Sequence, residues 1–215
     1  LKQQTAPNET AAIILVFTLF LLIFVYLIIF QEPVLGEGGY VMPPKSFMKG
    51  LRQICDENSI LMIVDEIQTG FGRTGKYFGI DHFDVTPDIL VFAKGVASGL
   101  PLSGIAASSK LHQTWKTGFM AAHMDPTLFL GKPIYSSDHL LLIDLFFPGK
   151  NIHAAGVATQ RVLQEEGLIE NAVVRGKQLK TGLKELQSRY PVIAEVRGPG
   201  LMIGMEFHDR KTPGI

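Results

Sequence analysis

Two lysines stand beside glycines, Lys76 after Gly75 and Lys94 before Gly95, in stretches where a phosphate or a carbonyl compound could be handled. Gly70-Phe-Gly-Arg-Thr-Gly75-Lys76-Tyr77 nearly matches the phosphate-binding pattern G-x-x-x-x-G-K-[ST]. The run before it, Leu61 to Val64 with Asp65 and Glu66, resembles the metal-binding strand of the same nucleotide-cleaving proteins. Three features argue against that chemistry. Tyr77 stands where a small hydroxyl must reach magnesium. Tyr77 to Pro87 shows no amphipathic period, so the loop opens no helix whose N-terminus could face phosphates. The two elements are also consecutive, whereas such proteins carry them on different strands.

Asp65 and Lys94 make the better pair. Each closes a short apolar run, Ile60 to Val64 and Asp88 to Ala93. A lysine forms a Schiff base only when its amine is neutral, and burial at a strand end disfavours the ammonium form. A carboxylate against a pyridine nitrogen keeps that nitrogen protonated and makes the ring an electron sink. Residue types and spacing alone fit blander roles as well. Asp65 could cap the next turn, and Lys94 could be a surface lysine with a snorkelling stem.

The elements around them must supply the positioning. After the Gly-rich loop Glu32 to Tyr40, Pro43 and Pro44 introduce a helix over Ser46 to Asn58, with Phe47, Leu51 and Ile54 on one face. Strand, helix and strand alternate from there, which predicts an α/β sheet covered on both faces. In such sheets functional groups gather beyond the carboxyl ends of the strands. From Ala154 the chain turns helical, with Ala172, Leu179, Leu183 and Leu186 in one stripe and Pro191 as the stop. Val192, Ala194 and Val196, then Leu201, Ile203, Met205 and Phe207, predict a hairpin with one buried face.

Two blocks break this texture. Ala11 to Phe30 carries no charged side chain and is long enough for a bilayer-crossing helix, yet its Phe, Ile and Val content leans toward strand as much as helix. A membrane span over Ile13–Phe30, a buried core segment and a foreign insertion all remain open for it. Phe119 to His153 mixes prolines with the apolar run Leu140 to Phe147 and has no clean period. Lys plus Arg and Asp plus Glu both number 20, and this zero net charge argues against nucleic acid as the main partner. Cys55 is the only cysteine, so no internal disulfide framework exists, and the six histidines match no metal spacing.

Longer words in the sequence carry a resemblance. Leu61-Met-Ile-Val-Asp65-Glu-Ile-Gln68-Thr-Gly-Phe-Gly-Arg73-Thr-Gly75 resembles the class III aminotransferase signature, as does Pro87-Asp88-Ile-Leu-Val-Phe-Ala-Lys94-Gly95 running on through Gly99-Leu-Pro101-Leu-Ser-Gly104. Glu32-Pro-Val-Leu-Gly-Glu37-Gly-Gly39 resembles the family's glutamate-bearing loop. Val196-Arg197-Gly198-Pro-Gly200-Leu-Met-Ile-Gly204 resembles the start of its small domain. The nearest likeness is to 4-aminobutyrate and other ω-amino-acid aminotransferases. The resemblance implies a fold-type I, α/β large domain that binds pyridoxal phosphate, followed by the start of an α+β C-terminal domain. It implies a homodimer in the cytoplasm or mitochondrion, acting on an amino acid and a 2-oxo acid.

Site roles follow from the same resemblance. Lys94 would hold the cofactor as a Schiff base and move the proton. Asp65 would pair with the pyridine nitrogen, and Gln68 would bond the ring hydroxyl. Arg197 would fork onto a substrate carboxylate, and Glu32 would be its switchable partner.

The sequence departs from the family in three ways. Neither the Gly-Ser phosphate loop of the family's upstream half nor its threonine-bearing segment after the lysine strand is recognisable. In addition, Leu15 to Gln31 splits a strand that would otherwise run from Ala11-Ala-Ile-Ile14 into Glu32. The expected organisation is therefore a broken strand with an apolar insertion over 1–31, a cofactor-binding portion over 32–118, an unmatched segment over 119–153, and helices leading into the small domain over 154–215. Such a chain is expected to be a weak or inactive transaminase by itself, or else a non-catalytic, membrane-anchored remnant of one.

Overall fold

Alternating burial marks the central strands. In Leu61–Asp65 the side chains of Met62 and Val64 point into the core, and in Ile89–Phe92 those of Leu90 and Phe92 do so. A computed structural model of the chain describes residues 28–108, 111, 139–142 and 150–208. Its strands are β1 (Ile28–Gln31), β2 (Leu61–Asp65), β3 (Ile89–Phe92), β4 (Gly104–Ser108) and β5 (His139–Leu142), which form one five-stranded sheet in that order. β1, β2 and β3 are parallel, whereas β4 runs antiparallel to both β3 and β5. The register sets Gln31 opposite Val64, and Asp65 opposite Val91. Glu32, Asp65 and Lys94 therefore emerge along one edge, where parallel strands end.

Helix α1 (Lys45–Asn58) begins after Pro44 and ends at Ser59, which adopts a left-handed φ of 55°. Its buried face is Met48 and Cys55, with Leu51 half-buried between them, while Phe47 and Ile54 are exposed. The expected Phe47–Ile54 face is thus rotated by one residue. Met48 and Cys55 lie seven apart, two helical turns on one side, and join Met62 and Val64 in the core. Arg52 leaves the same helix to meet Asp88, whose Oδ2 also accepts the backbone N–H of Met62; both distances are 2.7 Å. One carboxylate oxygen therefore fastens α1 to the neighbouring starts of β2 and β3.

β1 corrects the reading of the apolar block. The strand that runs into Glu32 is Ile28–Gln31, from within the block, and not Ala11–Ile14. A membrane helix continuing to Phe30 is not formed, because Ile28 to Phe30 pair with Leu61 to Ile63 in the sheet. Ile and Phe suit an extended conformation with a paired neighbour, which decides between the two propensities. Residues 1–27, with most of that block, lie outside the described residues. Among the described residues, no helix is long and apolar enough to cross a membrane. The segment 119–153 also contributes to the fold, since His139–Leu142 pairs with β4, and α2 begins at Lys150.

Helices α2 (Lys150–Glu165) and α3 (Leu168–Arg189) join through Gly167 at a φ of 61°. On α3 the buried residues are Ala172 and Gly176, while Leu179 is exposed and so falls off the expected stripe. The hairpin of β6 (Ile193–Arg197) and β7 (Gly204–Phe207) forms as expected, but with a bulge between Ile193 and Glu195. An extra residue shifts the strand's alternation. Ile193 and Val196 therefore face inward, Met202 is buried in the turn, and Met205 and Phe207 remain exposed.

Candidate cofactor and substrate site

Glu66, directly after β2, organises the glycine-rich loop. Its carboxylate is fully buried and accepts the N–H groups of Gly79 at 2.8 Å and Ile80 at 2.7 Å, together with the hydroxyl of Thr69. Its carbonyl accepts Gly70 N–H at 3.0 Å. Burial pushes the Glu66 carboxyl up to about 7, against the opposing pull of these hydrogen bonds, and nearby Asp81 adds to the rise. Both ends of the loop are thereby held together. After Gly75 the chain enters a 3-10 turn, Gly79–His82, and no α-helix opens there, in keeping with the argument against a nucleotide-phosphate loop.

Lys94 lies two residues beyond β3, in the turn Lys94–Ala97, with a φ of 45°. This left-handed backbone is unfavourable for a residue with a Cβ and must be held by its surroundings. The Lys94 side chain is exposed, contrary to the burial expected for it, because it stands at the sheet edge between two open cavities. The smaller cavity, about 270 Å³, is shared by Lys94, Gln68, Phe71, Arg73, Tyr40 and Met202. The larger extends from Lys94 and Phe71 along α2 past Thr159 and Val162. The Phe71 ring meets those of Tyr77, Phe78 and Phe92 edge-on, at 5.6 to 5.8 Å between centroids, and forms a rigid wall beside Lys94.

Gln68 reaches this cavity while donating to Glu37 at 3.1 Å. Loop 32–40 presses closely on it, since a Cβ built at Gly36 would stand 2.9 Å from Gln68 Oε1. Asp65 is half-buried at the end of β2 and accepts Ile67 N–H on Oδ1 at 2.9 Å, capping the turn. Oδ2 takes no hydrogen bond from the described residues.

Arg197 and Glu32 are not paired. Arg197 donates Nε to the carbonyl of Gly39 at 2.8 Å, and Nη1 to Glu195 at 2.7 Å and to Glu206. Glu32 instead accepts the backbone N–H of Gly36 at 2.5 Å. Arg197 thus holds loop 32–40 from the hairpin, and Glu32 bonds within the loop. Arg197 draws its counter-charges from its own hairpin, as a local ion pair. Glu66 and Gln160, a buried glutamine on α2, carried no assigned role in the sequence reading. For Glu66 the signal was its place beside Asp65; for Gln160 no pattern marked it.

Lys94 and Gln68 line one cavity, whereas Asp65, at the end of the neighbouring strand, does not line it. Residues 27–214 match the family model for "Aminotransferase class-III". The chain belongs to the class III aminotransferase family. It is 35% identical to the 5-aminovalerate aminotransferase DavT of Pseudomonas putida, over 98% of this chain and 41% of that protein. An alanine/serine racemase of Pyrococcus horikoshii is 40% identical over 83% of this chain and 33% of its own length. A Bacillus anthracis aminotransferase shares the fold with a TM-score of 0.68 and 31% identity, over 84% of this chain and 37% of that one. The ornithine aminotransferase of Toxoplasma gondii, described with partial occupancy of PLP at its active site, has a TM-score of 0.67 at 31% identity, over 83% of this chain and 37% of that one. Pyridoxal phosphate is the cofactor of this family. The chain spans about two-fifths of the length of such relatives or less.

Proposed function

We propose that this chain carries the lysine-bearing half of a pyridoxal-phosphate site that moves an amino group from an ω-amino acid to a 2-oxo acid. The observation that carries the reading is the cavity shared by Lys94 and Gln68, at the edge where β1, β2 and β3 end. The 5-aminovalerate and 4-aminobutyrate aminotransferases among the relatives, at 35% and 31% identity, support a donor whose amine is remote from its carboxylate.

When bound, pyridoxal phosphate supplies an aldehyde and a ring that withdraws electrons from the substrate carbon. Lys94 would hold the cofactor through Nζ and would carry the proton to and from that carbon. Asp65 would pair with the ring nitrogen through Oδ2, which takes no hydrogen bond from the described residues. Gln68 gives its amide to the ring hydroxyl. Arg197 takes a substrate carboxylate in place of Glu195 and Glu206, which are more than half exposed and can move away. Glu32 screens Arg197 when the bound substrate lacks that carboxylate, which requires it to leave Gly36 N–H. A homodimer in the cytoplasm or mitochondrion belongs to the same reading.

With neither the family's Gly-Ser phosphate loop nor its threonine-bearing segment recognisable, the 215-residue chain is expected to turn over slowly or not at all. A pyridoxal phosphate titration followed by visible absorbance tests the reading. The chain should gain a saturable band that Lys94→Ala lacks, and 4-aminobutyrate should discharge it. A band equal in both proteins would refute the role given to Lys94.

A further inference from the structure

We propose that Gln160 is a positioning residue for Lys94, clamping the Lys94 turn to the glycine-rich loop through one buried amide. This rests on the reading of Lys94 as the cofactor lysine. Gln160 lies on α2 with only 2% of its surface exposed. Its Nε2 donates to the carbonyl of Val96 at 3.1 Å, and its Oε1 accepts the phenol of Tyr77. The chemistry fixes which way the amide points. A carbonyl only accepts, so Nε2 must face Val96, which leaves Oε1 for Tyr77. Burial holds the Tyr77 phenol above its ordinary range, so it remains a donor.

Val96 is fully buried and two residues past Lys94. The turn's own backbone bonds run from Val96 N–H to Ala93 and from Leu100 N–H to Ala97, both at 3.2 Å. Only these two local bonds support a lysine held at a left-handed φ of 45° from within the turn itself. Gln160 adds a side-chain anchor from a neighbouring helix. Through Tyr77 the same amide reaches Phe71, whose ring stands 5.8 Å away edge-on and walls the cavity that Lys94 enters. One side chain therefore fixes both the backbone that aims Lys94 and the wall it lies against.

The test uses the whole 215-residue chain and the variants Gln160→Leu and Tyr77→Phe. Leucine keeps the volume and strands both partners; phenylalanine keeps the ring and removes one bond. Without cofactor, amide hydrogen exchange in residues 93–100 should speed up about tenfold in Gln160→Leu, and less in Tyr77→Phe, with α1 and β2 unchanged. With pyridoxal phosphate and borohydride, pyridoxyl trapping on Lys94 should slow in the same order. Unchanged exchange in both variants, or faster exchange throughout the protein, overturns the clamp. So does unchanged trapping beside a loosened turn. If the parent chain takes no label on Lys94 while the turn loosens locally, the clamp on the turn stands, and the cofactor reading of Lys94 is what fails.

Discussion

Glu66 Oε1 lies 2.7 Å from the backbone nitrogen of Ile80, fourteen residues further along the chain, and this bond closes the loop that carries Gln68, Phe71 and Arg73. The same carboxylate accepts Gly79 and Thr69, so the loop is shut by a fully buried group.

That burial gives stability a pH dependence of definite sign. The Glu66 carboxyl rises from 4.5 to about 7 on folding, so between those values the folded chain binds more protons than the unfolded one. Its contribution is full below pH 4.5, falls as pH rises toward 7, and amounts to roughly 3 kcal/mol over that window. Denaturant unfolding of the parent chain and of Glu66→Gln at pH 5 to 8 checks this. The parent should lose stability relative to the variant up to about pH 7, and parallel curves would remove Glu66 as the source.

Asp88 accepts both Arg52 and Met62 N–H, with its side chain 31% exposed and that of Arg52 18% exposed. Asp88→Ala should leave Met62 N–H unpaired and Arg52 with Asp56 alone, and should cost about 1–3 kcal/mol in urea unfolding. Arg52→Met removes one donor together with its charge and should cost less. An Asp88→Ala loss within error of zero would show that the bond does not secure α1.

Gly200 touches the glycine-rich loop where no side chain fits. A Cβ there would lie 2.4 Å from the carbonyl carbon of Thr74 and 2.6 Å from the nitrogen of Gly75, and its φ is 53°. Gly200→Ala should push the β6–β7 hairpin off the loop and break the 3.0 Å bond from Leu201 N–H to Arg73. The expected cost is about 1–3 kcal/mol by thermal or urea unfolding. Exchange at Leu201 should quicken as well, and a protected Leu201 amide in the variant would contradict the contact.

How much of this was readable beforehand depended on local pattern. α1, β2 and β3 stand within a residue of their expected places, because apolar spacing and flanking prolines act locally. Their parallel register was implied by alternating helix and strand, and it alone brings Asp65 and Lys94 to one edge. The inward faces of α1 and the hairpin were each off by one, since Met48 competes with Phe47 and a bulge resets β6. β1 and β5 were missed because three apolar residues beside one polar one, inside an aperiodic block, do not announce which neighbour they will pair with. Lys94 is exposed and not buried, because a strand-end position does not by itself exclude solvent. Glu66 and Gln160 owe their roles to partners 14 and 83 positions distant, a relation that no spacing rule encodes.

The most direct test of Lys94 is borohydride reduction of the 215-residue chain with stoichiometric pyridoxal phosphate, followed by peptide mass spectrometry. A pyridoxyl group concentrated on Lys94, and lost without transfer to other lysines in Lys94→Ala, is the expected result. Label spread evenly over surface lysines such as Lys76 and Lys184, with Lys94 no richer than they are, would contradict it.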